Sequence, residues 1–167
     1  MALKTNADSV KQNSFKQEFT HVVKNSDDSS IKANIFELAN KMKNEVGDCK
    51  VIQGWADDLE AEIQKCEENI KSIRAQGSEL EYISREKYLD YVSAEYAFKE
   101  MHEGDDGYMK SKDELAIKEG EYRTSRSDLT SNSNDEYSEI MTKSGKVFDL
   151  GKLKRYITLY QLFQTGN

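Results

Sequence analysis

The chain contains no proline, and it carries only two histidines, two cysteines and one tryptophan among its 167 residues. The absence of proline removes the strongest helix breaker and one of the common turn residues, which favours long helices. Only 37% of the residues are apolar and 33% are charged, so the sequence suits helices with one buried face and wide solvated flanks. Together these features predict an all-α fold.

The sequence also lacks long hydrophobic runs. No run of 18 apolar residues occurs, which argues against a membrane span. Residues 1–6 are polar and lack the apolar core of a cleaved signal peptide. We therefore expect a cytoplasmic protein, or one exported by a route that does not use a signal peptide.

The sequence also lacks a concentration of basic residues. The net charge is −7, and the lysines and arginines are scattered among acids. Binding to phosphate groups needs a basic face, so this distribution argues against nucleic acid as a partner. The negative charge otherwise serves solubility.

Residue sets for catalysis or metal binding are also few. His21 and His102 lie on different predicted helices, and no Ser/His/Asp or Cys/His set can be assembled from the sequence. Neither cysteine has the neighbours of a zinc site. The acidic stretch 103–114 fails the spacing of a calcium-binding loop. We predict no enzymatic activity, no metal or cofactor, and no small-molecule ligand.

The sequence does contain an apolar stripe that recurs every three and four residues between residues 35 and 80. Twelve of its 14 positions are apolar, against seven of the other 32 residues in that span. This period keeps side chains on one seam of a helix and is typical of coiled coils. The stripe therefore predicts a helix that packs against another helix. Its predicted seam residues are Ile52, Leu59, Ile63, Cys66, Ile70, Ile73 and Leu80.

Both cysteines, Cys49 and Cys66, lie on this stripe. Along one helix they would be about 26 Å apart, far beyond the reach of a disulfide. We interpret them as small buried apolar residues in a reducing compartment. The alternative is a Cys66–Cys66 bridge between the chains of a parallel dimer.

Gly77 leaves two arrangements open. A glycine there suits the end of one helix, and Ser78 to Glu81 has the Ser-x-x-Glu spacing of a capping box that begins the next. We predict an elongated helical bundle that contains an antiparallel coiled-coil hairpin, with its turn near residues 76–78. The alternative is one long continuous helix over residues 31–103 with shorter helices packed on it. In that case the stripe continues in phase through Tyr91, Ala94, Phe98 and Met101.

Composition divides the chain into four segments. Residues 1–28 are predicted to be a polar N-terminal segment with a short helix, and residues 29–130 the helical bundle. Glycine and aspartate mark a loop at 103–107. The Ser/Asn-rich residues 131–147 are predicted to be a flexible linker, followed by an amphipathic helix over 148–164.

The last of these segments is the candidate interaction helix. Its broad apolar face could enter a groove on a partner, with anchors at helical spacing. The alternative is that it folds back and completes the bundle around residues 82–101, which are rich in aromatic side chains. The face comprises Leu150, Leu153, Tyr156, Ile157, Tyr160 and Phe163.

These patterns favour a non-enzymatic protein that uses coiled-coil and amphipathic helix faces to bind a protein partner or to self-associate. The alternative rests on composition alone. A proline-free, acidic, Ser/Asn-rich helical chain is also compatible with a secreted bacterial effector, a virulence factor, or a filament or translocator-type subunit exported without a cleaved signal peptide.

Overall fold

The computed structural model describes Gln17 and residues 50–165, without the side chains of residues 51, 159, 160 and 162–165. Gln17 is helical, residues 50–165 form two helices, and the described residues contain no strand. Helix α1 is Lys50–Lys99 and helix α2 is Tyr108–Thr165. The two long helices pack together antiparallel, which confirms the predicted all-α hairpin class. The predicted segment 1–28 apart from Gln17, together with His21, Cys49 and the stripe before Lys50, lies outside the described residues.

The chain divides into two compact units. The first comprises Met1–Lys65 and Lys143–Asn167, and the second comprises Cys66–Thr142. Each unit contains a stretch of α1 packed on a stretch of α2. The buried residues of the first unit are Ile52, Ala56, Leu153, Tyr156 and Ile157, and those of the second are Cys66, Ile70, Ser84 and Ser125.

Helix α1 buries the face on which the stripe lies. We call this face the seam. Cys66 is only 5% exposed on it and forms no disulfide within the described residues. A bridge to a second chain would need this sulfur at the surface, so its burial argues against the interchain disulfide. The buried stripe residues are Ile52, Ala56, Cys66 and Ile70, and the half-buried ones are Leu59, Ile63, Ile73, Gly77 and Leu80.

The predicted turn at residues 76–78 is wrong, because α1 runs through Gly77 without a break. The Ser78 hydroxyl donates to the carbonyl of Arg74, four residues earlier, at 3.2 Å, so Ser78 bonds inside the helix instead of capping a new one. Glu81 pairs with Arg85 at 2.9 Å. Beyond Leu80 the same three-and-four spacing of buried and half-buried positions continues through Ser84, Lys87, Tyr91, Ala94 and Phe98.

Gly77 is needed for close packing between the helices of the second unit. A Cβ atom at position 77 would lie 2.6 Å from Oδ1 of Asn132, which is too close for real atoms. The Asn132 amide also donates a 3.1 Å hydrogen bond to the carbonyl of Ile73. A polar side chain at a seam position can set which residues of two helices face each other. The glycine thus makes room for an amide that joins α2 to α1.

Replacing Gly77 with alanine is therefore expected to destabilise the protein by about 1 kcal/mol, although alanine favours helix by a similar amount. The new methyl group must displace the Asn132 amide, and a part-buried polar group then loses its partner. The control is Gly120→Ala, where a Cβ atom meets nothing within 4 Å. That change should stabilise by about 1 kcal/mol. Thermal unfolding measures both, and equal gains would contradict this account of Gly77.

The predicted loop at 103–107 is confirmed as the connection between the helices. Asp105 accepts a hydrogen bond from the backbone amide of His102 through its carboxylate, at 2.7 Å. Gly107 has a φ of +88°, a conformation that favours glycine, and its carbonyl accepts from the amide of Ser111 at 2.9 Å as α2 begins. The hairpin thus turns at residues 100–107 and not at residues 76–78.

The predicted linker at 131–147 is also wrong, because these residues lie inside α2. Their polar side chains find partners on α1 within each unit. In the second unit Glu136 pairs with Arg74 at 2.6 Å, and Asn69 donates to Glu139 at 3.1 Å. In the first unit Lys146 pairs with Glu62. Serine and asparagine favour loops when their side chains compete for backbone groups, and that tendency is overridden here by pairing between helices.

Candidate interaction surface

The structure places the candidate interaction helix in the core of the first unit. Leu153, Tyr156 and Ile157 are 7%, 4% and 7% exposed, and Leu150 is half-buried. The side chains of residues 160 and 163 lie outside the description. Lys154 forms a 2.5 Å ion pair with Glu60 of α1 in the same unit. The described part of this face is therefore covered by packing within the unit and does not form an open docking surface.

The seam between the helices of the second unit is unusually polar. The Ser125 hydroxyl lies 3.3 Å from that of Ser84, and both side chains are buried. The side chain of Asn132 lies against Gly77 between the two helices. Tyr122 and Leu129 supply part of the apolar contact from α2, and both are half-buried. These polar contacts lie between the two helices of the unit, so we interpret them as part of the packing and not as a binding site.

Aromatic rings pack between the two helices near the loop that connects them. Tyr122 stacks on Tyr91 with ring centroids 6.0 Å apart, and it lies tilted against Tyr88 at 5.3 Å. Phe98 packs against Tyr108 at 5.2 Å. Such offset and tilted arrangements are the favoured geometries of aromatic pairs. Tyr88 nevertheless stays 48% exposed.

Opposite the seam, α1 carries a second apolar surface that nothing in its unit covers. Tyr82, Leu89 and Tyr96 recur every seven residues and are 63%, 64% and 69% exposed. At about 100° per residue they share one side of the helix, on the far side from the seam. Val92 and Tyr88 extend this surface towards one flank. We call the five residues, Tyr82, Tyr88, Leu89, Val92 and Tyr96, the aromatic face.

The two edges of the aromatic face differ in charge. On the edge next to Val92, each acid pairs with a base four residues later: Glu81 with Arg85 at 2.9 Å, and Glu95 with Lys99 at 3.0 Å. We call this the paired edge. The opposite, acidic edge consists of Glu79, Glu86 and Asp90, all exposed. None of these three carboxylates has a base within ion-pair distance in the described residues.

A shallow groove of about 320 Å³ lies beside the acidic edge, between the two helices. Small side chains leave this space open, and Asp90 and Glu114 place carboxylates along it. Lys118 lies at one end, where it also contacts Glu121 at 3.5 Å. The other residues that line the groove are Ser93, Ala94, Ala97 and Ser111.

Two hydrogen bonds orient side chains in or beside the aromatic face. Lys87 donates a 3.0 Å hydrogen bond to Glu121 across the hairpin, and this bond raises the pKa of Lys87 and lowers the pKa of Glu121. Both shifts favour the charged forms. The charges of Asp90 and Glu86 also raise the pKa of Lys87, so this lysine offsets part of the charge of the acidic edge, although its hydrogen bond is to Glu121. Tyr82 donates a 2.9 Å hydrogen bond to Glu86, which raises the pKa of the Tyr82 hydroxyl.

Sequence reasoning noted the aromatic residues between 82 and 101 but did not identify which of them would be exposed. Tyr82, Leu89 and Tyr96 share a spacing of seven residues that is offset from the stripe, and this pattern could have identified the aromatic face.

Among the described residues there is no cluster of side chains that could hold a metal ion. In the same residues neither helix contains a stretch apolar enough to cross a bilayer.

The sequence matches no protein-family model, and comparison with curated proteins and with solved structures yields no significant match.

Proposed function

We propose that this chain is a non-enzymatic helical interaction protein that assembles with other protein chains through the aromatic face. The observation that carries the proposal is the exposure of the five large apolar side chains of the aromatic face, which lie within 15 consecutive residues of α1. Exposed apolar patches of this kind are uncommon on proteins that act alone, and they mark binding surfaces when they are contiguous.

The residue types support the same role. Three of the five are tyrosines, which provide rigid contact area with a polar end and are enriched at interfaces between proteins. Two of the three tyrosines are also held in place before any partner binds. Tyr88 rests on Tyr122, and Tyr82 is hydrogen-bonded to Glu86. Side chains that are already ordered lose less entropy on binding.

The proposal that the chain is not an enzyme rests on the sequence. The two histidines lie on different predicted segments, and no Ser/His/Asp or Cys/His set can be assembled from the sequence. Export without a signal peptide stays a prediction from composition.

The proposed role is tested by photocrosslinking in the cells that make the protein. A photoreactive phenylalanine analogue at position 89 is expected to give covalent protein adducts. The same residue at position 117 should give none, because Ile117 is equally exposed, at 60%, but lies on α2 outside the aromatic face. Adducts at position 89 should disappear when Tyr82 and Tyr96 are both replaced by serine. Absence of adducts at position 89, or equal adducts at both positions, would overturn the proposal.

A further inference from the structure

The charges around the aromatic face specify what kind of partner fits it. The acidic edge carries three carboxylates without a base at ion-pair distance in the described residues, whereas the paired edge is neutralised within α1. The neighbouring groove adds the carboxylate of Glu114 on the same side, with Lys118 at one end. Complementary charge fixes the orientation of a partner and speeds its association. The surface therefore favours an apolar segment accompanied by lysine or arginine.

The chain itself contains a segment of that composition. Residues 1–24 hold four lysines and two acids, although the whole chain has a net charge of −7. Within them Phe15, Phe19 and Val22 follow the i, i+4, i+7 spacing that helices use to enter apolar grooves. Gln17, between the two phenylalanines, is helical and exposed.

We propose that the aromatic face and its acidic edge bind residues 1–24 of a second copy of this chain. This inference rests on the proposed function and names its partner. The two surfaces that meet are different, so the contact is heterologous, and repeating it joins successive copies head to tail. The mean mass in solution should therefore rise with concentration, and the rise should weaken in high salt because charges contribute to the contact.

Binding is measured with a labelled synthetic peptide of residues 1–24 and the full chain carrying Phe15→Asp and Phe19→Asp, so that its own segment does not compete. Fluorescence anisotropy is expected to show affinity of roughly micromolar order, typical of a short helix with few anchors. Adding Glu79→Lys and Glu86→Lys to the protein should weaken binding at least tenfold. Reversing Glu68 and Asp128 to lysine is the matched control, because both are exposed acids outside the face, and it should change binding less than twofold.

Sedimentation equilibrium of the unaltered chain provides the second measurement. Its mass should rise with concentration, and the rise should be absent in the Phe15→Asp, Phe19→Asp variant. Failure of the peptide to bind, or equal weakening by the acidic-edge and control reversals, would overturn the inference. Adducts at position 89 that contain a different protein would then leave the proposed function standing, so the two proposals fail separately.

Discussion

Replacing Ile70 with aspartate is expected to destabilise the second unit by about 3–5 kcal/mol, a large part of the stability of an ordinary domain. Ile70 is 7% exposed on the seam of α1. A carboxylate at this depth would lose its hydration without gaining a counter-charge, because no basic side chain is buried among the described residues. Circular dichroism during chemical denaturation measures the loss.

The matched control is Lys71→Asp, the neighbouring position on the same helix. Lys71 is exposed, so the new carboxylate stays in water, and the change should lie within about 0.5 kcal/mol of the original stability. Ile70→Val should cost about 0.5–1.5 kcal/mol, because it removes one buried methylene group and adds no charge. Equal effects of the two aspartate substitutions would show that Ile70 does not lie on a buried seam.

The class of fold and the buried face of α1 could be predicted because both depend on periodicity. A spacing of three and four residues places one side of a helix against another, whatever the partner is. The described seam positions from Ile52 to Leu80 all lie on the buried or half-buried side. The same spacing continues to Phe98, which is the pattern that the continuous-helix alternative recognised.

The position of the turn could not be predicted, because local and tertiary effects compete at Gly77. Glycine followed by Ser-x-x-Glu is a sound local pattern for the end of one helix and the start of the next. It carries no information about a side chain 55 residues later in the sequence. The Asn132 amide occupies the space that Gly77 leaves, and this long-range contact gives the glycine a role inside a continuous helix.

The Ser/Asn-rich stretch was misassigned for the same reason. Composition alone suggests a chain that cannot bury a core. Its charged residues are instead spaced to reach α1, as with Glu136 at Arg74 and Glu139 at Asn69. Hydroxyl groups that would favour a loop bond within the helix, since Thr142 donates to the carbonyl of Ser138 at 3.0 Å. The partners on α1 can be recognised only when the register of the two helices is known.

The aromatic face could not be identified before α1 was known to be continuous. A set of exposed tyrosines differs from a set of core tyrosines only by its phase relative to the seam. Tyr91 lies on the seam and stacks on Tyr122, whereas Tyr96, five residues later, is 69% exposed. Once α1 is known to be continuous, the phase follows, and Tyr82, Leu89 and Tyr96 fall on the far side from α2. The aromatic residues could be counted from the sequence, but their two roles could not be separated.

The C-terminal part of α2 provides the second large expected effect. Tyr156→Ala should destabilise the first unit by about 3–5 kcal/mol, because the Tyr156 side chain is only 4% exposed and its removal leaves a cavity among buried neighbours. The control is Thr158→Ala, two residues later, where an exposed threonine donates to the carbonyl of Lys154 in its own helix. That variant should unfold within about 0.5 kcal/mol of the original protein.

The same pair of variants separates a core role from a docking role for the predicted interaction helix. If this part of α2 is core, Tyr156→Ala lowers the unfolding temperature strongly, and any loss of self-association follows from unfolding. If it is a docking element, the variant keeps its unfolding temperature and loses only association. We expect the first result, because Leu153 and Ile157 are buried beside Tyr156 and Lys154 is paired with Glu60 of α1. An unchanged unfolding temperature would contradict the placement of this helix in the core and would favour a docking role for it.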